Sequence, residues 1–264
     1  MALATTLVAS SLFLAPEPGS GQMGNQDWCS ESRDRNEDAH CEVRELTLDT
    51  RDGRLSVDVG ANGGIRVEGW TGSDVRVSAR VQTRARNEAA AREMAQEVEV
   101  LARPGSVSAE GPRTRGRESW SVSVRVQVPM GTELDLRTTN GGITVADTHA
   151  GVSAQTTNGG VRLSGVVGPI EARTTNGGIR AELSSQTPLR HDIRLRTTNG
   201  GIELALPEGL SARIDASTTN GGINTDFPIT VQGRIGRRLT GVLGEGGPEI
   251  RASTTNGGIR LTRN

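Results

Sequence analysis

Residues 137–182 read RTTNGGITVADTHAGVSAQTTNGGVRLSGVVGPIEARTTNGGIRAE and contain the pentapeptide TTNGG three times at a spacing of 18 residues. Along the whole chain TTNGG occurs six times, with its asparagine at Asn140, Asn158, Asn176, Asn199, Asn220 and Asn256. The spacings are 18, 18, 23, 21 and 36 residues. Because 36 is twice 18, they predict one rung between Asn220 and Asn256 that lacks the motif. A weaker copy, ANGG, places Asn62 earlier in the chain. Recurrence at such a period is the mark of a stacked repeat architecture.

Around each copy the apolar residues alternate. Before the turn run Leu134, Leu136, Thr138; Val152, Ala154, Thr156; and Ile170, Ala172, Thr174. After it come Ile143 and Val145, Val161 and Leu163, Ile179 and Ala181. A period of two means strands with one buried face. Each unit is therefore strand, Asn-Gly-Gly turn, strand, second turn. One unit cannot bury its inner face alone, but copies stacked at about 4.8 Å create a continuous core. The reading is all-β: a single-stranded parallel β-helix, or β-solenoid, with rungs of about 18–23 residues and right-handed by the crossover rule.

The rival reading is an antiparallel meander or sandwich, because Asn-Gly between apolar runs is a strong hairpin signal. A meander does not require the same five residues at every second turn, whereas a stacked coil does. In the coil the asparagine amides form a ladder, and each inner threonine bonds its neighbour in the next rung. The first glycine is expected to take a positive φ, and the second to let neighbouring backbones approach.

The earlier chain joins the same coil. Leu55, Val57 and Val59 lead into Asn62, followed by Ile65 and Val67, with a further strand at Val75, Val77, Ala79 and Val81. Residues 87–97 (NEAAAREMAQE) predict a helix with Asn87 as N-cap and a packing face of Ala90, Met94 and Val98 beside Ala91 and Ala95. A strand pair around residues 102–105, an Arg- and Gly-rich loop and a long strand from Trp120 to Val128 follow. The expected organisation is a leader at 1–23, a Cys29–Cys41 loop and first strand at 24–50, N-terminal rungs with a helix and hairpin insertion at 51–130, and the TTNGG coil at 131–264. Residues 51–264 form one continuous domain in this reading. The helix and the cysteine loop would cap one end. The last rung, GGIRLTRN, would end the other with no cap beyond its own Arg260, Arg263 and Asn264.

Composition narrows the function. Hydrophobic residues are 33% and aromatics 2%, so a conventional aromatic-rich core is excluded. The 35 glycines have no three-residue period, which excludes collagen. Thirty basic side chains, every one arginine, face 31 acidic ones, a balance that argues against nucleic acid as a partner. Residues 2–15 form an apolar stretch of 14, too short to span a bilayer and fitting a secretory signal or a short apolar strand. No transmembrane segment is expected in the mature chain. Cys29 and Cys41 fit one disulfide in an exported protein, with free thiols or a metal site as the other readings. The chain is thus expected in the periplasm, at the cell surface or outside the cell.

Several segments resemble a known bacterial group. The TTNGGI repeats, the lead-in VPMGTELDLRTTNGGI and the stretch INTDFPITVQGRIGRRLTGVLGEGGPEIRASTTNGGIRL are similar to β-strand-repeat proteins called "putative adhesins", a domain of unknown function. The resemblance covers roughly residues 42–264. It implies a β-repeat fold, export and a non-enzymatic role, and it carries no catalytic residues over to this chain.

The residues themselves point away from catalysis. His40, His149 and His191 are scattered, and no zinc, nucleophile-elbow or phosphate-loop spacing is present. No catalytic residue, cofactor or metal is expected. The outward carboxylates Asp135, Glu171, Glu182, Glu203 and Asp215 keep a polysaccharide-active enzyme as the third reading. The outer surface is more informative. Thr139, Thr157, Thr175, Thr198, Thr219 and Thr255 form one outward row, with Arg137, Arg173 and Arg196 two positions earlier in their own copies. This strip is the candidate contact face for a surface glycan or envelope polymer. Its neighbouring Arg and Gln residues do not suit ice. Arg234, Arg237 and Arg238 mark a candidate projecting contact loop. The expected role is a non-catalytic envelope-binding or adhesion protein. The alternative is a structural scaffold that binds itself, stacking end to end through the last rung.

Overall fold

Strands form where apolar and polar residues alternate, and the glycines of each motif end one strand and begin the next. The computed structural model of the chain describes residues 28–29, 38–49, 52–184, 188–228, 230–231 and 236–264. Every TTNGG asparagine ends a pre-turn strand: Glu133–Asn140, Val152–Asn158, Ile170–Asn176, Ile193–Asn199, Ala212–Asn220 and Glu249–Asn256. Each is followed by a post-turn strand: Ile143–Ala146, Val161–Ser164, Ile179–Glu182, Ile202–Leu206, Ile223–Thr225 and Ile259–Arg263. Burial alternates along them, and the inward residues join one aliphatic core that extends from Leu48 to Leu261. Trp120 and Phe227 pack against this core from partly buried positions.

Pre-turn strands build one sheet of 11 strands and post-turn strands build another of 10. In the middle of the stack all pairing is parallel and in register. Leu134, Val152, Ile170, Ile193, Ile250 and Ile214 lie side by side, and so do the asparagines at the strand ends. The ends are antiparallel, so the topology is mixed and departs from an uninterrupted parallel coil.

Rung order also departs from chain order. The final rung, 249–263, lies between the rung 193–206 and the rung 212–225. The last segment of sequence is therefore interior, and the expected open terminus at GGIRLTRN is not there. The 36-residue spacing has the same cause. It holds no rung without a motif; it holds a crossover with the strand Arg238–Leu243, which runs antiparallel along Ala212–Ser217. That strand covers the outer edge of the pre-turn strand Ala212–Asn220, which leaves its inner edge for the returning chain.

The N-terminal end repeats the device. Arg54–Asp58 and Ile65–Trp70 form a rung next to 133–146, yet the outermost rung comes from later sequence, Ser106–Glu110 and Ser119–Pro129. Asp74–Arg84 and then Ala39–Asp49 add antiparallel strands beyond it, and Glu99–Arg103 does so in the other sheet. The helix Glu88–Glu97 packs there with Ala91, Met94 and Ala95 buried, and the Asn87 side chain accepts a hydrogen bond from the Ala90 amide at 2.9 Å. Its C-terminal carbonyls are met by the Arg44 guanidinium, at 2.7 Å from Ala95 and 2.5 Å from Val98. A cation there opposes the negative end of the helix dipole. Cys29 and Cys41 are disulfide-bonded, with Cα atoms 5.8 Å apart. Beside them the buried Trp28 ring lies under Arg125 and Arg80 at 4.0 and 5.0 Å. The leader expected at 1–23 lies outside the described residues.

Candidate functional site: the outward faces of the coil

The motif itself is consumed by the corner of the coil. Seven asparagines form a continuous amide ladder. Asn140 donates to Asn62, Asn158 to Asn140, Asn176 to Asn158, Asn199 to Asn176, Asn256 to Asn199 and Asn220 to Asn256, at 2.7–2.9 Å. The ladder follows stack order, so Asn256 precedes Asn220. The inner threonines do not bond one another. Thr138, Thr156, Thr174, Thr197, Thr218 and Thr254 are buried, and each hydroxyl donates to the carbonyl of the first glycine in the adjacent rung at 2.8–2.9 Å.

The close approach expected of the second glycine falls to the first. A Cβ at Gly159 would collide with the Gly141 carbonyl, and one at Gly177 with the Gly159 carbonyl. The first glycine thus serves close approach, and the positive φ expected of it occurs at Gly63, Gly200 and Gly257 but not in every copy. The second glycines, such as Gly160 and Gly178, are exposed at the outer surface.

Two faces flank this corner. On the pre-turn sheet, Arg137, Arg173 and Arg196 and the threonines Thr139, Thr157, Thr175 and Thr198 lie on one exposed strip in register. Two of the arginines are committed within their own strands. Arg137 bonds Asp135 at 2.9 Å, and Arg173 is paired with Glu171. Beside the strip is a groove of about 480 Å³ with two arginines, Arg54 and Arg194, against the carboxylates of Glu133, Asp135, Glu171 and Asp192. Arg54 grips Glu133 through two bonds of 2.9 Å, and this holds the Glu133 carboxyl below its usual range. Arg194 bonds Asp192 at 3.2 Å.

The post-turn sheet carries a second groove, of about 600 Å³. Its floor is the row of second glycines, Gly142, Gly160, Gly178, Gly201 and Gly258, and its wall includes Arg162, Arg180 and Arg260 with Glu203 as the carboxylate. Register continues this wall through Thr144 to Arg66. Sequence reasoning missed this row. Its signal is legible in retrospect, since arginine follows NGGI or NGGV at Arg66, Arg162, Arg180 and Arg260.

The remaining candidates are dispersed. Arg238 lies in the capping strand, 3.3 Å from Asp215, and Arg237 is exposed in the bend before it, its carbonyl accepting from the Thr218 amide. Arg234 lies outside the described residues. His149 and His191 are exposed and His40 lies 3.2 Å from Glu42. Among the described residues no group of three or more His, Cys, Asp or Glu could hold a metal ion, and no helix is long and apolar enough to cross a membrane.

Comparison with known proteins places this arrangement. The family model Toastrack DUF4097 matches residues 35–262, and the chain belongs to that family. Among solved structures it is similar to a "putative cell adhesion protein" from Clostridium sporogenes ATCC 15579, at 10% identity over 85% of this chain and 100% of that one, TM-score 0.43. It is also similar to a "putative adhesin" from Bacteroides fragilis NCTC 9343, at 9% identity over 85% and 97%, TM-score 0.42. A "putative adhesin" from Parabacteroides merdae ATCC 43184 gives 8% identity over 84% and 95%, TM-score 0.33. No curated protein matches the sequence.

Proposed function

We propose that this chain is a non-catalytic, exported binding or adhesion protein of the cell envelope or surface, and that its rigid faces meet an extended polymer. The observation that carries this reading is the in-register stack. Outward side chains recur at every rung, about 4.8 Å apart, on a backbone whose spacing they do not set. A repeated ligand can be met by such a repeated array at many points at once. The disulfide favours an oxidising compartment, and we take the coil as right-handed, as nearly all parallel crossovers are.

Against catalysis stands the state of the carboxylates. Asp135 and Glu171 are two rungs apart with Ser153 between, and each is held by an arginine of its own strand. A self-stacking scaffold loses its expected route, because the last rung of the sequence is interior.

The test is retention of purified residues 24–264 on envelope and polysaccharide fractions at low and high salt. Salt-sensitive retention on one fraction is expected. No retention on any fraction would sink the reading, and concentration-dependent sedimentation would then favour the scaffold.

A further inference from the structure

We infer that the glycine-floored groove of the post-turn sheet is a binding site for a linear acidic polysaccharide, laid along the stack with its anionic groups against the Arg66–Arg162–Arg180–Arg260 wall. This rests on the envelope-binding role proposed above and assigns it to one face.

Charge separates the two grooves first. The pre-turn groove sets two arginines against four carboxylates, and most of these groups neutralise one another at short range. The post-turn groove sets three arginines against one carboxylate. Glu203 occupies Arg180 at 3.1 Å. Arg162 and Arg260, and Arg66 further along, are exposed and have no ion-pair partner among the described residues. Arg162 and Arg180 are direct neighbours in register, as a row that repels itself. Alternating signs would relieve that repulsion; a polyanion relieves it on binding. Arginine suits the task because its planar fork meets carboxylate or sulfate through two bonds.

The groove floor supplies a second kind of donor. At the N-terminal end, the Gly64 amide donates to the Ser123 hydroxyl of the outer rung at 3.2 Å. In the following rungs the facing position is itself a glycine, which has no side-chain oxygen to offer and whose carbonyl is taken by the amide of the residue after the motif in an adjacent rung. The amides of Gly142, Gly160, Gly178, Gly201 and Gly258 have no acceptor among the described residues. These glycines are exposed in the groove, so a ligand oxygen can take the place that Ser123 fills at Gly64. A nucleic acid fits less well, since the groove has no aromatic side chain on which bases could stack.

The experiment compares binding of the full chain to immobilised polygalacturonate and heparin, with dextran as the neutral polymer and oligothymidylate as the nucleic acid. Binding to one or both acidic glycans is expected, with none to dextran. Arg162→Ala/Arg180→Ala/Arg260→Ala should weaken it about tenfold or more and flatten its salt dependence, with an unchanged melting temperature. Arg92→Ala/Arg103→Ala/Arg117→Ala removes the same number of charges from exposed positions elsewhere and should bind as the parent does. Should the triple variant fold poorly, Arg162→Gln alone must still lower affinity. Loss of binding in Arg137→Ala/Arg173→Ala/Arg196→Ala instead would overturn the groove assignment and leave the envelope-binding role standing. Oligothymidylate bound more tightly than either glycan would overturn the polysaccharide. An envelope fraction that retains the chain while both acidic glycans fail would overturn this site alone, and failure on every polymer and fraction would remove both readings.

Discussion

The two ends of the stack come from opposite ends of the chain and share one device: the chain skips a rung, lays an antiparallel strand outside, and another segment fills the gap. They differ in how much is added. At the N-terminal end both sheets are covered, by Asp74–Arg84 and Ala39–Asp49 in one and Glu99–Arg103 in the other, with the helix and the disulfide alongside. At the C-terminal end, among the described residues, only the pre-turn sheet is covered, by Arg238–Leu243 and the backbone of Thr230–Val231. The post-turn sheet stops at the three-residue strand Ile223–Thr225, where Arg263 lies 5.6 Å over the Phe227 ring. The difference teaches that the repeat does not end itself. Identical rungs expose unpaired backbone wherever the stack stops, and only non-repeat sequence or a very short edge blunts it.

Glycine substitutions test that contrast, at one first glycine of the interior and then at second glycines matched between interior and end. Gly177→Ala in the interior should have the largest effect. Its new Cβ would strike the Gly159 backbone, which cannot shift without moving the rung beyond. A loss of about 3 kcal/mol is expected by chemical denaturation. Gly178→Ala, an interior second glycine, brings its Cβ to 3.3 Å from the Gly201 carbonyl and should cost about 1 kcal/mol, whereas the matched Gly222→Ala at the outer rung meets nothing within 4 Å and should leave stability unchanged within about 0.5 kcal/mol. Equal losses at the two sites would break the comparison.

Cys29→Ser/Cys41→Ser probes the N-terminal closure. The chain-entropy account of a 12-residue separation gives a loss of about 3 kcal/mol as an upper figure, because the sheet pairing of Ala39–Asp49 survives. Melting with and without reductant measures it; an unchanged midpoint would show that the strand alone closes this end.

The amide ladder sharpens the contrast on a smaller scale. Asn176 both donates and accepts, whereas Asn220 stands at the end of the ladder and only donates. Asn176→Ala should therefore cost about 1–2 kcal/mol and Asn220→Ala about half as much. Reversal of that order would remove the ladder from the account of stability.

The smallest effect expected is a pH dependence at the N-terminal cap. Burial pulls the Glu42 carboxyl upward, but hydrogen bonds from Arg44 and His40, with their charge, outweigh it and hold Glu42 below its ordinary value of 4.5. A depressed carboxylate stabilises the fold fully above its ordinary value, and that contribution is lost as pH falls through the lower, folded-state value. The melting difference between the parent and Glu42→Gln should hold at neutral pH and vanish below the carboxylate range. A difference that persisted in acid would assign it to packing.

Much of this molecule is legible in its residues, and the limits have physical causes. Period-two burial around Thr138, Thr156 and Thr174 identifies strands, and six equal turns identify stacking, because both depend on neighbours in sequence or on like residues brought into register. Asn87 announces the helix start, since a cap acts within one turn. The outward arginine strip is less legible. Arg137 and Arg173 read as free until their strands place Asp135 and Glu171 on the same face two residues away. The Arg66, Arg162, Arg180 and Arg260 wall was present in the letters but gains meaning only beside a glycine floor.

By itself, then, the sequence determined the strands, the corner motif and the in-register stacking of like residues. Tertiary structure alone decided the order of the rungs, the placing of the last rung inside the stack, and which arginines keep a free guanidinium. Every rung offers nearly the same edge to every other, so local sequence cannot rank the partners. The choice falls to the non-repeat strands that occupy the outer edges, and those act across the whole length of the chain.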